Sequence, residues 1–221
     1  MIINQEVIET ARDRLYTAVL SDILDAQGFR HQVLPPHIRP LDEALVLVGR
    51  ARTGLYRDVY HIAPGHNPYA LEIALIDDLK PGDVPVLACG ASGRIAPWGE
   101  LLTTASRSRG ATGCLTDGLV RDVKMIRKQG FPVFCGGIGP LDSKGRGEVA
   151  ATDVPVECAG VVVNPGDLVF GDADGVVVVP QHLVKQVLHL ALEKVDGEDR
   201  TRAELEAGAL LKDVFEKYGV L

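Results

Sequence analysis

The chain has 221 residues, with 23 Lys and Arg against 30 Asp and Glu, so its net charge is −7 and its isoelectric point lies near 5.4. That acidic balance, with no polybasic run, argues against a protein that grips nucleic acid or an anionic membrane by charge alone. Apolar residues make up 46% and charged residues 24%, which is ordinary globular usage. A chain of this length suits one large domain or two small ones and can bury about 70% of its unfolded surface.

No window of 18 or so uninterrupted apolar residues is present, as a membrane helix would need. The opening MIINQEVIETARDR carries acids and no apolar core, unlike a secretory signal. A cytoplasmic protein is expected. Cys89, Cys114, Cys135 and Cys158 sit in or beside apolar runs with no C-x-x-C spacing, so buried free thiols are expected rather than zinc or disulfides.

In chain order, Val7, Ile8, Ala11, Leu15, Val19, Leu20, Ile23 and Leu24 recur at helical spacing and predict one helix over 5–27, ended by Gly28. HQVLPPHIRP (31–40) reads as loop. ALVLVGRART (44–53) predicts a strand with Arg50 and Arg52 on one face. PYALEIALIDDL (68–79) predicts a helix, and KPGDVPVLACG a tight turn feeding a strand. Helices are expected over 99–110 and 119–130, each stopped by glycine, and short strands over 111–118 and 131–137. This strand–helix–strand rhythm implies parallel pairing. Residues 154–180 hold short β runs separated by NPGD and DADG turns, a hairpin signature. DADG is no calcium loop, because its twelfth position is Leu183. From His182 onward the chain is helical and charged. The division is a mixed α/β domain over 1–180 and a helical C-terminal extension over 181–221, of the kind that packs on a neighbouring subunit.

Three stretches could carry chemistry. In TDGLVRDV (116–123), Asp122 offers a hard oxygen for Mg²⁺ or Mn²⁺, and Arg121 offers a planar fork for a carboxylate. Equally, Asp117 caps a helix and the Arg-Asp pair is surface charge. In APWGELLTTASRSRG, Glu100 opens a helix, where the dipole favours an acid. The amides of Glu100, Leu101 and Leu102 are free donors able to hold a carboxylate or an enolate oxygen. Trp98 is either a pocket wall or core. GASGRIAP (90–97) follows a strand, and its Gly90–Gly93 stretch is either a pocket rim or a plain turn. His61 and His66 flank a Pro-Gly turn, either as a metal or substrate site or as polar loop residues. Phosphate-loop, nucleophile-elbow and H-E-x-x-H motifs are absent.

WGELLTTASRSRGATGCLTDGLVRDVKMIRKQGFPVFCGG, followed by VPVECAGVVVNPGDLVFGDADGVVVVP, resembles the RraA-like family. The likeness runs from about residue 15 to 200 and is strongest over 97–180. That family includes class II pyruvate aldolases acting on 4-hydroxy-4-methyl-2-oxoglutarate and 4-carboxy-4-hydroxy-2-oxoadipate, and also a regulator of RNase E activity. Some members carry the label demethylmenaquinone methyltransferase, which finds no glycine-rich methyl-donor loop here.

The resemblance implies a layered β/β/α swivelling-type single domain, assembled as a trimer or a hexamer with its active site between subunits. Catalytic members place an acid, twenty residues, then Arg-Asp; Glu100, Arg121 and Asp122 match that pattern, with Glu where Asp is usual. Met125 stands where a further carboxylate is common. By the same likeness Asp122 binds Mg²⁺ (or Mn²⁺ or Co²⁺), and Arg121 stabilises the enolate. The amides over Gly99, Glu100, Leu101 and Leu102 hold the substrate carboxylate. Glu100 and a C-terminal glutamate of an adjacent subunit, Glu198 or else Glu193, handle protons. The implied reaction releases pyruvate, with oxaloacetate decarboxylation beside it. The alternative is a non-catalytic regulator that binds a ribonuclease.

Overall fold

The computed structural model describes residues 5–90 and 92–219. Helices α1 (Gln5–Arg14) and α2 (Thr17–Ala26) lead into β1 (Arg39–Pro40) and the long strand β2 (Leu47–Asp58). Next come α3 (Ala70–Asp77), β3 (Asp83–Ala88), α4 (Glu100–Ser108), β4 (Cys114–Thr116) and β5 (Leu119–Val120). Then α5 (Val123–Gln129), β6 (Val133–Cys135), β7 (Gly137–Ile138) and β8 (Gly147–Thr152) follow. The hairpins β9 (Val156–Cys158) with β10 (Val161–Val163) and β11 (Leu168–Asp172) with β12 (Gly175–Val179) precede helices α6 (Val184–Glu206) and α7 (Leu211–Tyr218).

The main sheet runs β1-β6-β4-β3-β2-β11-β12. The expected parallel pairing holds where helices connect strands: β2 with β3, β3 with β4, and β4 with β6. Strand β2 is shared by two antiparallel partners, β11 along its first half and β8 along its second. Residues 32–34, expected to be loop, pair with β12 through Leu34 N–H to Val176 O and Val178 N–H to Gln32 O. The same segment then enters β1, which pairs with β6, so the sheet nearly closes on itself.

Closure explains why β3, β11 and β12 are buried on both faces. Alternate residues face opposite ways. Val84, Val86, Val169, Val176 and Val178 point inward, where the β9–β10 hairpin fills the interior with Val156, Cys158, Val161 and Val163. Leu168, Phe170, Val177 and Val179 point outward onto α1, α2 and the first half of α6. A third cluster joins Leu87, Cys114 and Val133 to α3 and α5. The four cysteines are free and buried.

Two elements differ from expectation. The helix predicted over 5–27 breaks at Leu15–Tyr16, because Thr17 donates its amide (2.8 Å) and hydroxyl (2.7 Å) to the Asp172 carboxylate. The Asp of the DADG turn thus caps α2 from 155 residues away. The helix predicted from Leu119 begins only at Val123, since Leu119 and Val120 pair with Gly137 and Ile138. No helix among the described residues is long and apolar enough to cross a membrane.

The two Pro-Gly-Asp turns are structural twins. Asp83 accepts the amide of Lys80, and Asp167 accepts the amide of Asn164, each at 2.8 Å. Both turns clamp β2: Arg50 N–H donates to Gly82 O, and Ala51 N–H donates to Asp167 O. Asp167 also accepts the amide of Gln181 and is 3% exposed. Asp167→Ala leaves two backbone donors short of a partner and should cost about 3 kcal/mol. Urea denaturation reads this, and a loss under about 1 kcal/mol would contradict the clamp.

Candidate active site

The segment Ile95–Trp98 is strapped to Leu119–Arg121 by backbone bonds: Leu119 N–H to Ile95 O and Arg121 N–H to Trp98 O, both 3.0 Å, with a parallel bridge between Trp98 and Val120. Trp98 anchors the strap. It is fully buried, its indole N–H donates to Thr103 Oγ1 at 2.9 Å, and its ring stacks on Phe131. Of the two readings left open for it, core is the observed one, although it also underlies the cleft wall.

The strap sets the start of α4 beside Arg121 and Asp122. The Glu100 amide donates to Asp122 Oδ2 at 3.2 Å. The Leu101 and Leu102 amides, within the first turn, have no protein partner among the described residues. Gly99 is required by proximity: a Cβ there would lie 2.7 Å from Asp122 Oδ2 and 3.2 Å from Arg121 Cγ. Gly118 is required in the same way, since its Cβ would lie 2.9 Å from both Cys89 Sγ and Pro97 Cδ.

The helix end that faces the Arg-Asp pair is therefore that of α4, not that of α5 as TDGLVRDV suggests. Arg121 directly follows β5, and Asp122 occupies the left-handed region (φ 60°, ψ 28°) at the N-cap of α5. Asp122 makes no side-chain cap to its own helix. Asp117 does not cap it either; it accepts the amides of Cys89, Gly90 and Ala159.

Gly99, Leu101, Leu102, Arg121 and Asp122 line a cleft of about 170 Å³ with Tyr69, Glu72, Asp142 and Ser143. Arg121 lies 3.8 Å from Asp122 and 3.7 Å from Asp142, loose ion pairs that leave guanidinium donors for a ligand. Tyr69 donates its hydroxyl to Asp142 at 2.9 Å. Burial, and then that bond, push Tyr69 up to about 12. Asp142 ends below the ordinary carboxylate range. Burial opposes this, but the Tyr69 hydroxyl, the Lys144 and Ser143 amides and the Arg121 charge outweigh it.

Glu72 is 6% exposed. Burial raises it from 4.5 to about 7, with a smaller opposing pull from the Tyr56 hydroxyl.

Glu100 contributes its amide, while its carboxylate turns along α4 to accept bonds from Thr104 (2.8 Å) and Gln129 (3.1 Å). Glu198 lies on α6, near Lys194 at 3.9 Å, and Glu193 pairs with His189. Neither lines this chain's cleft. Met125 is exposed on α5.

Gly90, Ser92 and Gly93 rim a separate hollow with Asp117 and Glu157; Ala91 of that loop lies outside the described residues. His61 and His66 share a third hollow, where His66 Nε2 meets Glu148 Oε2 at 2.7 Å. Tyr69, Glu72 and Asp142 were not singled out from the sequence. Glu72 had a legible signal: it falls on the apolar stripe Glu72, Leu75, Ile76 and Leu79, where an acid is out of place.

A nearly closed mixed sheet, plugged by a hairpin and carrying an Arg-Asp pair against a helix N-terminus, defines a layered α/β protein with a small charged cleft. The chain belongs to the RraA-like family, Aldolase/RraA, whose model matches residues 17–178. A relative from Halalkalibacterium halodurans, named "Putative 4-hydroxy-4-methyl-2-oxoglutarate aldolase", is 34% identical over 91% of this chain and 90% of its own. An uncharacterised protein of Pseudomonas syringae pv. tomato has a solved structure with a TM-score of 0.83 at 28% identity, covering 97% and 98% of the two chains. RraAS2 of Streptomyces coelicolor, described as an unusual member of the RNase ES inhibitor RraA protein family, matches with a TM-score of 0.79 at 28% identity over 90% and 96%. These likenesses agree with the layered α/β fold expected from the sequence and support an aldolase-type lyase.

Two outcomes follow from this geometry. Gly99→Ala should displace the Asp122–Arg121 pair, read as a shift of the Arg121 guanidinium NMR resonance from its wild-type position; an unchanged resonance would refute the close approach. Because the Glu72 carboxyl is raised from 4.5 to about 7, the folded state holds that proton more tightly than the unfolded chain. Stability should therefore fall as pH rises from about 4.5 to 7, by up to roughly 3 kcal/mol. Denaturant midpoints at pH 5 and pH 8 should show that fall in the wild type, and a smaller one in Glu72→Gln.

Proposed function

We propose that the chain is a divalent-metal-dependent class II aldolase that cleaves a 4-hydroxy-2-oxo diacid to pyruvate and a second keto acid, and that it decarboxylates oxaloacetate through the same enolate. The observation that carries this reading is the cleft in which Arg121, Asp122 and the free Leu101 and Leu102 amides converge. The aldolase name of the Halalkalibacterium relative supports it.

The residues fit a hard cation. Asp122 is half-exposed, and only its Oδ2 is engaged, by the Glu100 amide and loosely by Arg121. Among the described residues no three acidic, histidine or cysteine side chains gather to form a closed metal cage. A single carboxylate with water and substrate oxygens is the usual way Mg²⁺ is held. Asp122 would hold the ion (Mg²⁺, Mn²⁺ or Co²⁺), which when bound supplies Lewis acidity toward a 2-oxo acid. Arg121 pairs with the oxygen on which negative charge develops, and the amides of residues 101 and 102 hold the substrate carboxylate. Glu100 positions Asp122 through its amide, and its carboxylate joins proton handling only by leaving Thr104 and Gln129.

The cleft is small, about 170 Å³. Leu71, Ile73, Leu101 and Met125 nearby are exposed apolar side chains, a pattern that favours a covering partner. A trimer or hexamer in which the partner subunit's Glu198 or Glu193 reaches this cleft is the assembly proposed. The second reading, a protein-binding regulator of a ribonuclease, draws support from the likeness to RraAS2.

Pyruvate release from oxaloacetate and from 4-hydroxy-4-methyl-2-oxoglutarate, with Mg²⁺ or Mn²⁺ and then EDTA, tests the reading. Asp122→Ala should abolish turnover, and Arg121→Lys should lose about 100-fold or more. Release that is indifferent to EDTA, or near-normal turnover in Arg121→Lys, would overturn it.

A further inference from the structure

We infer that Glu72 is the proton-transfer residue of the cleft: its carboxylate takes the C4 hydroxyl proton of the substrate and returns a proton to C3 of pyruvate. This rests on the aldolase reading above. In the first step the C4 O–H proton passes to Glu72, and the freed pair forms the C4 carbonyl. The C3–C4 pair then becomes the enolate double bond, with the charge on the C2 oxygen beside Arg121. In the second step that enolate collapses to the ketone as C3 takes the proton from Glu72. No co-reactant is needed, and Glu72 ends as it began.

The geometry singles out this side chain. Glu72 sits in the first turn of α3 and lines the same cleft as Arg121 and Asp142, yet it is nine-tenths buried. Among the described residues the donor nearest its carboxyl is the Tyr56 hydroxyl, which is itself buried and falls short of normal hydrogen-bond geometry. A buried acid without a full set of partners is costly to keep, and an apolar residue would pack there at no such cost.

The other cleft groups are committed elsewhere. Asp142 is held by Tyr69 and Arg121 and stays ionised. Tyr69 keeps its proton. Asp122 is turned to the Glu100 amide. The groups around Glu72 are Tyr56 from β2, Tyr69, Cys89 beyond β3, Asp142 and Arg121. Glu148 of β8, the strand packed on α3, is taken by Arg57 and His66. Glu72 is thus the cleft carboxyl free to change protonation near neutrality, as a general base and acid requires.

The test compares wild type, Glu72→Gln, Glu72→Asp and Arg121→Ala in the metal-loaded protein. Three activities are read: cleavage of 4-hydroxy-4-methyl-2-oxoglutarate, first-turnover CO₂ release from oxaloacetate, and exchange of pyruvate C3 protons in D₂O. Loss of CO₂ has no hydroxyl proton to remove. Glu72→Gln should therefore lose about 100-fold in cleavage and lose C3 exchange, with a decarboxylation loss at least tenfold smaller. Glu72→Asp should recover part of the cleavage. The wild-type fall in kcat/KM below about pH 7 should vanish in Glu72→Gln.

Independently of activity, carboxyl ¹³C NMR should show one resonance titrating near neutrality that is missing from the variant. Equal losses in cleavage and decarboxylation, cleavage within threefold of wild type, or no such resonance would each overturn the role of Glu72 while leaving the aldolase standing. Wild type as inert as Arg121→Ala would overturn the aldolase reading, and this role with it.

Discussion

The site depends on one short strap of backbone. Ile95–Trp98 and Leu119–Arg121 come from opposite ends of the α4–β4 unit, and they are held parallel by two main-chain hydrogen bonds and a bridge. The strap is fixed from below by Trp98, whose indole is satisfied by Thr103 and whose ring lies on Phe131. Because of it, a helix N-terminus with unspent amides and an Arg-Asp pair share one small space. The nearly closed sheet matters to function chiefly as the rigid frame that carries the two arms of the strap, through β3, β4 and β6.

The electrostatics of the cleft follow from unequal commitment. Arg121 faces two carboxylates at nearly 4 Å, too far for the bidentate fork that would neutralise it. Its charge, with the positive end of α4, leaves room for an incoming anion. Of the two acids Asp142 and Glu72, Asp142 is kept ionised by its neighbours, whereas Glu72 is kept neutral to higher pH by burial. Two carboxyls pushed apart in this way can serve different ends within one pocket.

The parts of this arrangement that repeat at short range were readable from the sequence. The glycine stops, the parallel rhythm over 83–135 and the DADG hairpin turn rest on local periodicity and turn chemistry, and the structure has them. The spacing of Glu100, Arg121 and Asp122 marked the cleft by family likeness. What remained hidden depends on long-range pairing. The extended course of Leu119–Arg121 is dictated by Ile95, Trp98, Gly137 and Ile138, none of which a window around TDGLVRDV contains. The break at Leu15–Tyr16 is dictated by Asp172. Asp142 lies in an ordinary-looking loop and acquires meaning only from Tyr69 and Arg121.

Three local costs meet at the cleft. Asp122 adopts a left-handed backbone that costs a non-glycine residue roughly 1 kcal/mol or more, and it forgoes capping its own helix. Gly99 gives up a side chain so that two charged neighbours can approach. Glu72 sits buried beside the Tyr56 hydroxyl, which has no hydrogen-bond partner of normal geometry. Each departure has a cheaper alternative that would leave the sheet and its three apolar clusters unchanged: a right-handed Ser at 122, Ala at 99, Leu at 72. A scaffold selected for stability alone would settle on those. Their joint absence within one small cleft is what a functional site predicts, because preorganised charge must be held against the local preferences of the chain.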